Sequence, residues 1–194
     1  MAKAKSQIQK FREAARAVGA HDSEERFDAT LKKIAQPLAK VCPECGHVFQ
    51  GNGWDGSYFH TTRIAAKRAY AEAGIDRPRE QISMTEVHDC FSITELVTME
   101  DLFLSDEGRA VRDVLEGEFD ASGRVPCQID GGLKCFGHPV GASGIRMLYE
   151  IYLQLNGRAA ARQLADPSVG LIHNLGGQPS QNVCSVSIIG REGV

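Results

Sequence analysis

The 194-residue sequence contains no long apolar stretch. Its uncharged apolar runs are only a few residues long, whereas a membrane-spanning helix needs about 20 such residues. No charged segment followed by an apolar core is found at the start of the chain, as it would be in a secretory signal. We therefore expect a protein with no membrane span and a cytoplasmic location.

The sequence also lacks a strong excess of either charge. Its 22 Lys and Arg residues against 25 Asp and Glu residues give a net charge of −3, which argues against nucleic acid as a partner. Apolar residues make up 42% of the chain, as in an ordinary globular protein. The charge is uneven, because residues 1–41 carry +4 and residues 42–194 carry −7. This contrast favours a short N-terminal appendage attached to a separate body.

Residues 1–40 are predicted to form a helical hairpin that precedes this body. Apolar residues recur at spacings of three and four over residues 6–18 and again over residues 22–38, with Gly19-Ala20-His21 as the turn. Both apolar stripes are thin, so the hairpin needs a surface to pack on. A solubilising leader without chemistry is the simplest interpretation.

Of the six cysteines, only Cys42 and Cys45 are closely paired in the sequence. The pattern C-P-E-C-G resembles one knuckle of a zinc ribbon, in which two thiolates face one ion. Tetrahedral zinc takes four ligands, and no second C-x-x-C follows. The missing ligands would have to be histidines: His47, His60 or His21. Residues 41–53 are therefore predicted to be a linker that either binds zinc through Cys42 and Cys45 or is a plain loop.

From residue 54 onward the pattern is typical of an α/β domain with a mixed sheet and packed helices. Helices are predicted over residues 61–73, 92–103, 106–117 and 143–155, and strands over residues 82–87, 169–174 and 183–189. Gly74 is expected to end the first helix, and a capping box from Ser92 to Glu95 is expected to begin the second. On the helix over 143–155, one face is apolar: Ile145, Leu148, Tyr152 and Leu155.

A first candidate motif, His88-Asp89-Cys90-Phe91, follows a predicted strand directly and precedes a helix. In α/β sheets, ligands bind at the carboxyl ends of the strands, which is where this motif lies. The positive N-terminal end of the following helix favours a thiolate at Cys90. A buried structural cysteine is the simpler alternative for this position.

Two further motifs are rich in glycine. In Gly137–Gly144, glycines let the backbone approach a ligand, and Pro139 fixes the approach of His138. In His173–Gln178, a strand end is followed by glycines that could direct backbone N–H groups at an oxyanion. A plain turn before the last strand is the alternative there.

Together these motifs resemble the C-terminal half of a thiolase of the sterol-carrier-protein or lipid-transfer-protein type. The matching text is E-V-H-D-C-F at 86–91, G-G-L-K-C-F-G-H-P-V-G-A-S-G at 131–144 and H-N-L-G-G at 173–177, and T-T-R-I-A-A-K-R-A-Y-A-E-A-G-I at 61–75 fits as well. The resemblance extends over residues 54–194 and implies a thiolase-like C-terminal domain there.

The resemblance also implies roles for particular residues. Thiolases act through an acyl-enzyme on a cysteine, which the G-H-P histidine activates, and this histidine corresponds to His138. A second cysteine moves the proton at the α-carbon, and in the sterol-carrier type it comes from H-D-C-F, so Cys90 is the candidate acid and base. His88 takes the place of an asparagine that helps to bind the thioester oxygen.

The oxyanion and substrate contacts would come from Asn174, Gly176 and Gly137. Many thiolases carry their second cysteine in a C-x-G motif, which aligns here with Asn174-Leu175-Gly176 and therefore lacks the thiol. The Gly176 N–H group remains a candidate oxyanion donor.

The implied function is an acyltransferase of lipid metabolism that uses coenzyme A as a substrate and cleaves or forms 3-oxoacyl-CoA. The nucleophilic cysteine of the family lies in an N-terminal half with no counterpart here, so a partner carrying that half, or a homo-oligomer, is expected. Three alternatives remain open: a non-catalytic acyl-CoA-binding or assembly module, a truncated product without activity, and an aldolase (lyase) subunit for steroid side chains. A thiol at position 90 favours the thiolase reaction over the lyase.

Overall fold

A computed structural model describes residues 58–178 and 181–191. Its helices are α1 (His60–Ala73), α2 (Pro78–Gln81), α3 (Ser92–Asp101), α4 (Ala110–Leu115), α5 (Gly132–Phe136) and α6 (Ser143–Leu155), with a 3-10 turn at Ala160–Arg162. Its strands are β1 (Met84–Glu86), β2 (Val169–Gln178) and β3 (Gln181–Gly190). The helical hairpin predicted over residues 1–40 and the linker predicted over 41–53 lie outside the described residues. Among those described, no helix is both long and apolar enough to cross a bilayer.

The strands form a mixed sheet in the order β1-β2-β3. β1 runs parallel to β2, with Met84 opposite Gly170, and β2 runs antiparallel to β3, with Val169 opposite Gly190. On the other side of β1, Thr85 makes a parallel bridge to Cys127. The α/β class with a mixed sheet and packed helices, predicted from the sequence, is confirmed.

Helices cover both faces of this sheet, because successive residues of a strand point to opposite sides. On β2, Leu171 packs in a core with α1, α3 and α4, whereas Ile172 packs in a second core with α6. The first core contains Ala66, Tyr70, Ile82, Val87, Met99, Leu102, Leu104, Ala110, Val125 and Leu171. The second contains Met84, Met147, Ile151, Leu164 and Ile172. The domain therefore has three layers, helix on sheet on helix.

The predicted ends of the elements need correction at several places. The capping box at Ser92–Glu95 is wrong: the N-cap of α3 is Phe91, which makes no side-chain capping bond, and the Glu95 carboxylate accepts from the Cys127 thiol instead at 3.6 Å. The strand predicted over 82–87 is only Met84–Glu86, because the Ile82 N–H still donates to the Pro78 carbonyl of α2. Three further elements also differ: the helix predicted over 92–103 ends at Asp101, the one over 106–117 is Ala110–Leu115, and the strand predicted over 183–189 is Gln181–Gly190.

Gly74 ends α1 as predicted. Its φ of 69° lies in the left-handed region, which glycine adopts without steric cost. The next N–H, of Ile75, then donates to the Tyr70 carbonyl at 2.9 Å and satisfies one of the free carbonyls at the helix end. Tyr70 itself is buried and donates its hydroxyl to the Leu102 carbonyl at 2.7 Å, so α1 is fixed to the end of α3.

Helix α6 is apolar on two sides. Met147 and Ile151 are fully buried against the sheet. In the predicted stripe, Ile145, Leu148 and Tyr152 are exposed, at 68%, 47% and 46% of their full exposure, whereas Leu155 is half-buried and packs against the second core. The outer side of a surface helix is normally polar, so this exposed apolar stripe is unusual.

Gly170 offers a test of how closely α6 approaches the sheet. A Cβ on Gly170 would lie 2.6 Å from Ile151 Cγ2, whereas a Cβ on Gly190, also in a strand, would meet no atom within 4 Å. Gly170→Ala should therefore lower the free energy of unfolding by about 1–3 kcal/mol through overpacking. The control Gly190→Ala should change it by less than about 0.5 kcal/mol. Urea unfolding of both variants measures the difference, and equal effects would contradict the close approach.

Candidate active site

The site begins at the carboxyl end of β1. The chain leaves the sheet after Glu86, and the Val87 carbonyl accepts from the Gln128 side chain at 2.7 Å instead of from a strand. This bond turns the chain so that His88 is largely buried, with 8% of its surface exposed. The location agrees with the edge at which parallel strands bind ligands.

His138 reaches the same place from the glycine-rich segment between α5 and α6. Its ring is exposed on one side, and its Nδ1 lies 2.8 Å from the Oγ of Ser143. Ser143 is buried and is the first residue of α6. The start of a well-packed helix therefore holds the imidazole of His138 in place.

His88 and His138, which are 50 residues apart in the sequence, meet edge to face. Their ring centroids are 4.9 Å apart and their planes are inclined by 60°. The pKa of His88 is lowered, first by burial and second by the positive charge that His138 can carry, while Asp89 acts in the opposite direction. At neutral pH His88 is therefore a neutral imidazole that can donate one hydrogen bond and accept another.

Asp89 anchors the loop that carries His138. Its carboxylate accepts from the Leu133 N–H, with its two oxygens 3.0 and 3.1 Å away. Gly132 makes this approach possible, because a Cβ there would lie 2.3 Å from Asp89 Oδ2, and its φ of 58° also disfavours other residues. The turn after β1 and the start of α5 are thus held together by one carboxylate.

Cys90 lies beside this turn and is exposed to solvent, as a free thiol. Its sulfur lies 3.7 Å from the Thr94 hydroxyl in the first turn of α3. The alternative of a buried structural cysteine is therefore wrong for Cys90.

His173 and Asn174 approach from β2. His173 is completely buried, and its Nε2 lies 3.1 Å from the Thr62 hydroxyl of α1. Burial, followed by the positive charge that His88 carries when it is protonated, lowers the pKa of His173 to about 3. Asn174 is half-buried beside Gly144, where a Cβ would lie 3.2 Å from the Asn174 Nδ2. The start of α6 therefore contacts both His138 and Asn174, which lies in the middle of β2.

The structure places Gly176 and Gly137, the two glycines predicted to bind an oxyanion, in different local settings from those expected. β2 was predicted to end at residue 174 and to be followed by a turn, but it continues to Gln178, so Gly176 lies within the strand opposite Val183 and is exposed. The Gly137 N–H already donates to the Leu133 carbonyl at 2.8 Å. The strand continues because Gly176 and Gly177 pair with β3 instead of forming a turn.

The predicted zinc ligands Cys42 and Cys45 lie outside the described residues. Among residues 58–178 and 181–191, no group of three or more His, Cys, Asp or Glu side chains is arranged to hold a metal ion.

The sequence analysis missed two residues that shape the site. Ser143 lies within the quoted motif but received no role, because its contact with His138 depends on the turn at the start of α6. Asp89 lies between two candidate residues, and only the long-range contact with Leu133 shows what its carboxylate does. In both cases the sequence offered one signal: each is a polar residue inside a candidate motif to which no role had been assigned.

Residues 53–190 match the family described as thiolase C-terminal domain-like. The match spans well over half of the chain, so the chain belongs to the thiolase family as a C-terminal-domain-like member. The resemblance inferred from the three motifs is confirmed.

Curated relatives include acyltransferases and lipid-transfer proteins. Acetyl-CoA acetyltransferase of Methanothermobacter thermautotrophicus is 42% identical over 96 residues, which are 50% of this chain and 25% of that protein. Sterol carrier protein 2 of Oryctolagus cuniculus is 41% identical over 118 residues, which are 61% of this chain and 21% of that protein. The chain therefore spans about a quarter or less of the length of these relatives.

Among solved structures, one named Ltp2-ChsH2(DUF35) aldolase is similar, with a TM-score of 0.59. The sequences are 21% identical, and the match covers 71% of this chain and 33% of that one. At this identity the likeness supports the fold alone.

His173 gives the site a testable pH dependence. Its pKa is about 3 in the folded protein, against about 6.5 in an unfolded chain, so the unfolded state takes up a proton first as the pH falls. The stability that neutral His173 provides should be constant above pH 6.5 and should fall by up to about 1.4 kcal/mol per pH unit below it. The difference in unfolding free energy between wild type and His173→Gln should shrink accordingly in urea titrations at about pH 7, 6 and 5. A difference that does not change with pH would contradict a buried neutral His173.

Proposed function

We propose that this chain supplies the C-terminal part of a thiolase active site that acts on 3-oxoacyl-CoA, in CoA-dependent carbon–carbon cleavage or the reverse condensation. The nucleophilic cysteine would come from a thiolase N-terminal half on a partner chain. The contact between His88 and His138 is the main support, because it joins two of the motifs that resemble the family in one polar site. A cytoplasmic location remains part of this proposal.

In the proposed reaction, His138 activates the nucleophile of the partner. The Ser143 Oγ also lies 3.5 Å from the Pro139 carbonyl, to which its hydroxyl can donate. The same oxygen then accepts from Nδ1–H of His138, which leaves the lone pair on Nε2 to take a proton from the incoming thiol. Ser143 thus favours the tautomer that a general base requires.

His88 and Cys90 would act on the other product of the cleavage. After the partner thiolate attacks the 3-oxo carbon, the bond between C2 and C3 breaks and its electron pair moves onto the thioester oxygen. The neutral His88 would donate a hydrogen bond to that oxygen, and the Cys90 thiol would give its proton to C2. The Cys90 thiolate would then take the proton of the CoA thiol, and the CoA sulfur would attack the acyl-enzyme. The partner cysteine would leave as the thiolate and recover its proton from His138. Asn174, Gly176 and Gly137 stay proposed substrate contacts.

The exposed apolar residues on the outer face of α6 are a second argument for a partner chain. Ile145, Leu148, Tyr149 and Tyr152 are each between 46% and 68% exposed. With Leu155 and Ile189 these residues line an open groove of about 830 Å³. A continuous apolar surface of this kind normally marks an interface.

The activity test uses acetoacetyl-CoA and CoA as the probe substrates. The chain alone should not cleave acetoacetyl-CoA at a thiolase-like rate, because it lacks the nucleophile. A thiolase N-terminal half added in trans should restore cleavage, and Cys90→Ala should then reduce kcat by about 10²–10⁴-fold. Cys135→Ala, which removes another exposed thiol, is the control and should change kcat little.

Two outcomes would overturn the assignment. Rapid cleavage by the chain alone would mean that one of its own thiols is the nucleophile. Equal losses in Cys90→Ala and Cys135→Ala would remove the specific role of Cys90. Binding of acetoacetyl-CoA by the assembled halves without turnover would instead favour a non-catalytic acyl-CoA-binding module.

The partner surface can be tested separately from catalysis. Ile145→Asp places a charge in the proposed interface and should weaken binding of the N-terminal half by at least about 30-fold in Kd, as expected for about 2 kcal/mol at an interface hot spot. The control is Leu115→Asp on α4, since Leu115 is 81% exposed and lies on the opposite side of the sheet. Isothermal titration calorimetry measures both, and equal weakening would place the interface elsewhere.

A further inference from the structure

A largely buried arginine, Arg146, contacts segments that carry residues of the proposed site. Its Nη1 contacts the Glu86 carboxylate at 3.1 Å and makes a short contact with the Asp130 carboxylate. The side chain of Arg146 is 15% exposed, and those of both carboxylates are 2% exposed. Such a group is costly to bury unless its charge is compensated, so the three residues depend on one another.

Each partner of Arg146 belongs to a different segment of the site. Glu86 is the last residue of β1 and lies two positions before His88. Asp130 precedes the two glycines that open the loop with α5. Arg146 itself lies on α6, three positions after Ser143. One guanidinium therefore joins β1, the glycine loop and α6.

A third contact reaches the residue next to the G-H-P motif. The guanidinium carbon of Arg146 lies 5.2 Å from the centre of the Phe136 ring, two positions before His138. Both carboxylates contact the same atom, Nη1, while the planar guanidinium lies against the Phe136 ring. A lysine side chain is shorter and has no planar group, so we expect it to lose the contact with Phe136 and to reach the two carboxylates less closely.

The charges around Arg146 explain why it is needed. Burial and the charges of Asp130 and Glu150 raise the pKa of Glu86, and Arg146 lowers it, with a net result of about 8. Glu150 also forms its own ion pair with Arg162 at 2.7 Å. Without Arg146, Glu86 would hold its proton and the Asp130 carboxylate would lose the guanidinium that compensates its burial, so the segments that carry them would no longer be held together.

We propose that Arg146 is a positioning residue that sets the contact between His88 and His138 by holding β1, the glycine loop and α6 on one guanidinium. Its link to catalysis depends on the proposed function, but the contact that it controls does not. The polar and ring contacts of Arg146 go to Glu86, Asp130 and Phe136, so it would act on the histidines through the segments that hold them.

The test is an NMR titration of the complete chain with selectively labelled histidines. In the wild type, a nuclear Overhauser effect should connect the rings of His88 and His138, and the pKa of His88 should lie below its usual value. In Arg146→Lys the Overhauser effect should disappear, and the pKa of His88 should rise towards its usual value, because both burial and the neighbouring ring are lost. The control Arg112→Ala removes an arginine that is 71% exposed and paired with Glu116, and it should change neither signal.

A second variant covers the case in which Arg146→Lys does not fold. Asp130→Asn keeps the size of the side chain and removes one charged contact, and circular dichroism and urea unfolding verify its fold. If Arg146→Lys folds, its result decides: loss of the ring contact supports the proposal, and an intact Overhauser effect with an unchanged pKa of His88 overturns it. If Arg146→Lys does not fold, the same two outcomes in Asp130→Asn decide.

The assembled enzyme separates this inference from the proposed function. With the N-terminal half present, Arg146→Lys should lower kcat at least about 10-fold, as expected for a loss of about 1.4 kcal/mol, with a small change in KM. If the wild-type assembly is inactive but the variant still loses the ring contact, the proposed function fails and the role of Arg146 stands. If the assembly is active and the ring contact survives in the variant, the role of Arg146 fails alone.

Discussion

The parallel pairing of β1 with β2 is the constraint on which the site depends. Parallel strands end at the same edge of a sheet, so the pairing of Glu86 with Ile172 places His88 and His173 side by side although 84 residues separate them in the sequence. A proton on His88 would accordingly lower the pKa of His173. The histidine of the G-H-P motif, His138, then has to reach only one edge of the sheet.

Much of this arrangement could be predicted from the sequence. The strand before His88, the helix after Ser143 and the end of α1 at Gly74 all follow from local patterns, and the motif text was sufficient to identify the family. Local patterns fail where a distant residue competes for a group. Glu95 was expected to cap α3, but it turns towards Cys127, which is 32 residues away in the sequence.

Other features depended on tertiary contacts that periodicity does not contain. Gly176 and Gly177 are typical of a turn, yet pairing with β3 keeps both in the strand. The predicted helix over residues 143–155 is correct. Its buried side, however, carries two polar residues, Glu150 and Gln154, as well as apolar ones. These two bond to each other at 3.0 Å and to the segment around Arg162, so their burial could not be predicted from hydropathy.

The contact between Gly170 and Ile151 makes α6 and β2 a single mechanical unit. Protein interiors are close-packed and compress little, so a helix that touches a strand backbone cannot shift without moving the strand. The same helix begins at Ser143, which holds His138, and the same strand carries Asn174. A molecule bound to the outer face of α6 would therefore act on His138 and Asn174 together, because the helix and the strand move as one.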